Sequence, residues 1–195
     1  MRAALWNWSA LTWLNVLLAM PVSAADPLPS WNDGPSKKAI VEFVGRVTQE
    51  GSKDFVPVAE RIAVFDNDGT LWPENPVAFQ LAFALDSLKQ QVESKPALKE
   101  DAAVKAALSG DSAALLADDM KGLLRVIALT HAGMTTDEFN ERVSDWVKSS
   151  KHQRFGRSYV ECLYQPMLEV LAFLRDHGFK TYIVSGGGIE FLRVF

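Results

Sequence analysis

The sequence predicts an α/β fold in which a parallel sheet carries a helical insertion, and three features point to it. Two short apolar runs, Ile62 to Phe65 and Phe179 to Val184, have the length and the β-branched and aromatic content of strands buried on both faces. A helical pattern fills Val77 to about Lys151 between them. A further helix runs up to the second strand, so the order strand, insertion, helix, strand is that of parallel strands joined by a helical crossover. With 195 residues, 48% of them hydrophobic, the chain can build one globular unit with a core.

Met1 to Ala25 reads as a secretory signal peptide. Arg2 gives a positive start, Leu11 to Met20 is largely apolar, and Pro21-Val22-Ser23-Ala24 supplies small residues for cleavage after Ala24 or Ala25. This predicts export to the periplasm, with no stable membrane association once the segment is removed. The alternative is an uncleaved N-terminal membrane anchor, because Ala3 to Met20 is nearly long enough to span. Asn7, Ser9, Thr12 and Asn15 interrupt that stretch and favour cleavage.

Asp26 to Gly34 reads as an irregular lead-in. Ser36 is expected to cap a helix reaching about Gln49, with Ile40, Val41, Phe43, Val44 and Val47 on one face and Gly51 as its stop. Phe55 to Ala59 leads into the first strand, and Pro73-Glu74-Asn75-Pro76 forms a rigid loop after it. In the insertion, Phe79, Leu81, Ala82, Phe83, Leu85 and Leu88 make the apolar side of one helix. Further helices are expected near Lys99–Leu108, Ser112–Ala117, Lys121–Leu129 and Thr136–Lys148. Thr136, with Asp137 and Glu138, is the expected capped start of the last, and Gly133 the stop of the one before it. Pro166 suits the first turn of the next helix, which carries Met167, Val170, Leu171 and Leu174 and ends near His177-Gly178.

The formal charge of −4 offers no basic footprint, which argues against a nucleic-acid partner. The single cysteine, Cys162, has no internal disulfide partner and suits a small buried apolar position. His131, His152 and His177 lack metal-ligand spacing, and helix-end positions suit His131 and His177. Chemistry concentrates instead where the first strand stops. Asp66 and Asp68 follow Phe65, and Gly69 makes the turn. Acids at the carboxyl end of a parallel strand lie where α/β sheets bind ligands. One residue apart on an extended backbone they face the same side, and their mutual repulsion calls for a cation, a proton or both. An EF-hand loop would need Gly sixth and Glu twelfth; here Gly69 is fourth and Val77 twelfth.

Asp66-Asn67-Asp68-Gly69-Thr70 after an apolar strand resembles the first signature of the haloacid dehalogenase (HAD) superfamily of phosphatases and related hydrolases. Thr181 to Gly188, with Ser185 at the end of a second strand, looks like the second signature. The resemblance runs from Arg61 to Phe195 and is similar in layout to phosphoserine phosphatases and to secreted bacterial relatives with a helical insert. It implies a Rossmann-like core at 26–75 and 160–195, with 76–159 as a mobile helical cap that closes over the site. It further implies Asp66 as nucleophile, Asp68 as general acid and base, and Mg2+ held by an Asp66 oxygen and the Asp68 carbonyl. Ser185 and the backbone around Gly186 at a helix start would grip the phosphoryl oxygens of a small phosphorylated substrate. Thr70 would support the loop through its hydroxyl. The plainer alternative leaves both acids as solvated strand-end charges and Ser185 as a helix cap.

Trp72 and Glu74 occupy the place of a specificity loop, although core packing suits Trp72 equally and solvent suits Glu74. The Trp-Pro pair before Glu74-Asn75 departs from the serine-phosphate pattern. Arg125 matches a carboxylate-binding cap arginine or an exposed helix charge; Arg154 and Arg157 suit an anion contact or ordinary surface. Asp118-Asp119 is expected on the solvated side of the cap. The family also uses a lysine and a later acidic motif, and no lysine follows Lys180. The chain is therefore expected to be C-terminally incomplete. A magnesium-dependent phosphatase and a non-catalytic fragment that at most binds phosphate or a partner chain both remain open.

Overall fold

Two strands carry the architecture. In the computed structural model, which describes residues 25–195, β1 (Ile62–Phe65) and β2 (Lys180–Ile183) pair in parallel, with Ile62 opposite Lys180 and Phe65 opposite Ile183. The signal peptide expected at Met1–Ala25 falls, up to its last residue, outside the described residues. Mixed α and β structure with a small parallel sheet matches the predicted class.

The two strands are not buried on both faces. Ala63 and Phe65 pack into a cluster with Val44 and Val47 of α1 (Pro35–Thr48) and Val170, Phe173 and Leu174 of α6 (Gln165–Asp176). The alternate residues Ile62 and Val64 remain 58% and 63% exposed. Side chains alternate across a strand, and both packed helices lie on the Ala63 side. Apolar content alone therefore overstated the burial.

Ser36 does not cap α1. The helix starts at Pro35, with Gly34 at the N-cap, two residues before the expected cap, and no side-chain bond to the first turn. Proline's fixed φ and missing N–H suit that first position. Pro166 and the His177-Gly178 ending of α6 match expectation, and Gly178 takes the left-handed φ of +80°. Arg61 is buried beside that turn. Its guanidinium donates to the carbonyls of Val56 at 2.9 Å and His177 at 2.7 Å, which ties the entry to β1 to the end of α6.

The insertion is helical throughout. It comprises α2 (Phe79–Ser94), a 3-10 turn at Pro96–Glu100, α3 (Ala102–Ser109), α4 (Ser112–His131) and α5 (Thr136–Ser149). α2 serves two cores. Phe79, Ala82 and Phe83 join Trp72, Val143, Trp146 and Tyr159, together with Phe191 of α7 (Ile189–Arg193). Ala84, Leu88 and Val92 pack with Val104, Ala107, Leu115 and Val126. The two helical segments expected within α4 are present, because the helix breaks at Ala117–Met120, where Asp118, Asp119 and Met120 have positive φ. The turn folds the halves together so tightly that a Cβ on Gly122 would lie 3.0 Å from the Leu115 Cα. Asp118 and Asp119 are exposed there, as expected.

Arg125 pairs with Asp101 at 3.0 Å, and Asp101 caps α3 through the Ala103 and Val104 amides. The guanidinium beside it and these amides hold the Asp101 carboxyl below the usual range. Arg125 is thus a structural partner. α5 begins with a capping box one residue before the predicted position: Thr135 accepts from the Glu138 N–H, and the Glu138 carboxylate accepts from the Thr135 N–H at 2.7 Å. Thr135→Ala should cost about 1 kcal/mol in denaturant unfolding, whereas Thr136→Ala should cost a few tenths at most. Equal losses would mean that the cap is not at Thr135.

Among the described residues no helix is long and apolar enough to cross a membrane.

Candidate active site

The parallel register brings the carboxyl ends of β1 and β2 side by side. The Val184 N–H donates to the Phe65 carbonyl at 2.8 Å, so Asp66 leaves β1 next to the start of the Ser185 loop. Neighbouring strands lie about 4.8 Å apart, close enough for one small ligand to touch both ends. Asp66, Asp68, Ser185 and Gly186 are thereby gathered at one edge of the sheet.

The Asp66–Trp72 turn is built on Asn67. Its side chain is buried, and its carbonyl accepts the Thr70 N–H at 3.0 Å and the Leu71 N–H at 2.8 Å. Thr70 thus supports the loop through its backbone; among the described residues its hydroxyl makes no hydrogen bond. Gly69 has φ +75°, and a Cβ there would meet the Glu74 carboxyl carbon at 3.2 Å. The positive φ favours glycine, and the close approach brings Glu74 over the acid loop.

Each acid has one oxygen engaged by the loop itself. The Asp66 Oδ1 accepts the Asn67 N–H at 2.8 Å, and the Asp68 Oδ1 accepts the Trp72 indole N–H at 2.6 Å. Neither forms an ion pair among the described residues, which leaves an exposed Asp66 and a half-buried Asp68 without a counter-charge. Trp72 is buried and stacked on Phe79, with ring centroids 4.6 Å apart, so the indole that holds Asp68 is itself held by the core. Trp72 is both core and site support. Nothing local in the sequence marks that link, since the two roles are joined only by packing.

The Ser185 loop departs from expectation. Gly186 is not at a helix start: α7 begins at Ile189, with Gly188 as N-cap. The Ser185 Oγ accepts the Gly187 N–H at 3.1 Å, and the Gln80 Oε1 accepts the Gly188 N–H at 2.7 Å. The Gly186 N–H makes no hydrogen bond among the described residues and stays available to a ligand oxygen. Three glycines let the chain turn before α7 forms, which moves the helix start down the chain. Gln80, at the start of α2, was not singled out in the sequence and lies 108 residues from Gly188.

Cys162 and Tyr159 do not compete as nucleophiles. Burial pushes the Cys162 thiol up and the Tyr159 phenol to about 12, so both stay protonated at neutral pH. Arg154 and Arg157 lie over the Phe155 ring at 5.6 and 6.0 Å. The family model for haloacid dehalogenase-like hydrolases matches residues 63–195, which spans both strand ends and the insertion between them. The chain belongs to this family. No curated protein matches it. As a HAD hydrolase, it carries its two acids and its serine at the sheet edge described above.

Proposed function

We propose that this HAD hydrolase is a magnesium-dependent phosphate monoester hydrolase acting on a small phosphorylated substrate. The observation that supports this reading is the pair of carboxylates without counter-charge, Asp66 and Asp68, beside the Ser185 loop. Among the described residues no cluster of three or more His, Cys, Asp or Glu could enclose a metal. Magnesium fits such a sparse set, because it is commonly held by one or two carboxylates with water and substrate phosphate oxygens completing the shell. Asp66 and Asp68 would hold it, and when bound it offsets the negative charge that opposes attack of a carboxylate on a phosphate.

In this reading an Asp66 oxygen attacks phosphorus, and the phosphorus–ester oxygen bond breaks as Asp68 protonates the departing alcohol. Water then attacks the aspartyl-phosphate and gives its proton to Asp68, and the phosphorus–Asp66 bond breaks to release phosphate. The Ser185 hydroxyl and the Gly186 N–H hold the non-bridging oxygens. The helical insertion, packed on α7 beside the loop, acts as the cap.

The test is phosphate release from p-nitrophenyl phosphate by the full chain. Magnesium should support it and a chelator should abolish it; no turnover from folded protein with magnesium would refute the reading. Trp72→Phe keeps a core ring but frees the Asp68 carboxylate. It should lower kcat about 10-fold with little change in KM, since a general acid is worth roughly 100-fold or more when fully positioned. An unchanged kcat would remove Trp72 from the site.

A further inference from the structure

A chain of hydrogen bonds links the Ser185 loop to the insertion. The Gln80 side chain in α2 reaches Gly188 through Oε1 at 2.7 Å and the His131 Nε2 in α4 through its amide nitrogen at 3.1 Å. The His131 Nδ1 lies 2.8 Å from the Thr130 Oγ1, which also lies 2.8 Å from the Val126 carbonyl. A threonine hydroxyl has one proton, and a carbonyl only accepts, so that proton goes to Val126. Thr130 must then accept from an Nδ1–H, which leaves the His131 Nε2 as an acceptor. Gln80 therefore donates to His131 and turns its carbonyl to the Gly188 N–H. Every donor in the chain meets an acceptor only when His131 is neutral. The loop is also fitted to Gln80 sterically, because a Cβ on Gly188 would lie 2.8 Å from the Gln80 Nε2.

We propose that Gln80 is a positioning residue of the phosphate site, its amide holding the Ser185–Gly188 loop against the insertion while neutral His131 fixes the direction in which that amide faces. The inference rests on the phosphate-binding reading of Ser185 and Gly186. Protonation of His131 places an N–H at Nε2 against the Gln80 NH2. Turning the amide over would relieve that clash but set an NH2 against the Gly188 N–H. Either way one end of the link is lost: the first arrangement gives up the bond to His131 and strains the amide, and the second gives up the bond to the loop.

The groups facing His131 are known from each packed element. Gln80 and Phe83 come from α2, Phe139 and Arg142 from α5, and Glu190 of α7 lines the same pocket of about 310 Å3. Burial holds the imidazole below its ordinary range against the opposing hydrogen bond to the Ile127 carbonyl, and the positive charge of Arg142 adds a smaller push in the same direction as burial. A depressed histidine pKa keeps the link intact above the ordinary imidazole range near pH 6.5 and releases it as pH falls through the folded value.

The experiment is calorimetric titration of the full chain with inorganic phosphate in magnesium, from pH 7.5 downward. Gln80→Ala should bind about 10-fold more weakly at pH 7.5. His131→Gln keeps an acceptor for Gln80 but does not titrate, so it should bind within about twofold of wild type and lose the additional weakening at acid pH. The ionisation of phosphate is common to both proteins, so their difference isolates His131. Gln80→Glu accepts from Gly188 and from protonated His131, so its affinity relative to wild type should rise as pH falls. Equal binding by wild type and Gln80→Ala, or an acid weakening unchanged in His131→Gln, would overturn the positioning role while leaving the phosphate site standing. Absence of binding by wild type would instead remove the phosphate site and the role of Gln80 with it.

Discussion

Asp66→Asn should abolish magnesium-dependent phosphate release, by at least about 1,000-fold in kcat, while the protein remains folded. The Asp66 side chain is exposed at the end of β1, and its one hydrogen bond is from the Asn67 N–H to Oδ1. An asparagine carbonyl oxygen accepts that same bond, so the turn has no reason to rearrange. What disappears is the anionic oxygen that attacks phosphorus. A neutral amide is a poor nucleophile, and it weakens any cation held between the two acids. The rate should be measured with p-nitrophenyl phosphate, and the thermal midpoint should stay within a few degrees of wild type. A variant retaining a tenth of the wild-type rate would show that Asp66 is not the nucleophile, even if the protein hydrolyses phosphate esters by another route.

Phe83→Ala should destabilise the fold by about 3–5 kcal/mol, the largest loss expected from any single side chain at the junction of insertion and core. Phe83 is fully buried, and its ring centroid lies 5.6 Å from those of His131 and Trp146, 5.7 Å from that of Phe139 and 5.8 Å from that of Phe191. It therefore touches α4, α5 and α7 from a position on α2. Truncation removes a phenyl ring from among four other rings, which are too rigid to collapse fully into the space. Denaturant unfolding measures the loss. Phe83→Leu, which refills part of the volume, should recover more than half of it. A cost for Phe83→Ala below 1.5 kcal/mol would mean that the aromatic cluster relaxes and that insertion and core are joined by other contacts.

Local signals in the chain differ in how much they specify. The strand ends and the turn at Gly69 were legible because they depend on neighbouring residues: an apolar run, two acids, and a glycine whose φ is positive. The α4 break was legible for the same reason. Helix caps differ from the local reading, at Gly34 rather than Ser36 for α1 and at Thr135 rather than Thr136 for α5, because several neighbouring residues can serve there and packing chooses between them. Burial of the strands is not legible locally, since apolar composition does not say how many faces a neighbour will cover. α7 starts later than the glycines suggest, because glycines that resemble a helix entrance also extend a loop.

The sequence by itself determined the fold class, the order of its elements and the identity of the two acids and the serine, because each is encoded within a few residues of chain. Only the tertiary structure decided what holds them. The Trp72 indole on Asp68 depends on a ring anchored by Phe79, and the Gln80 amide joins Gly188, 108 residues away, to His131, 51 residues away. The physical reason is that a hydrogen bond between distant residues is made by the packing that brings them together, and neither partner carries a local mark of the other.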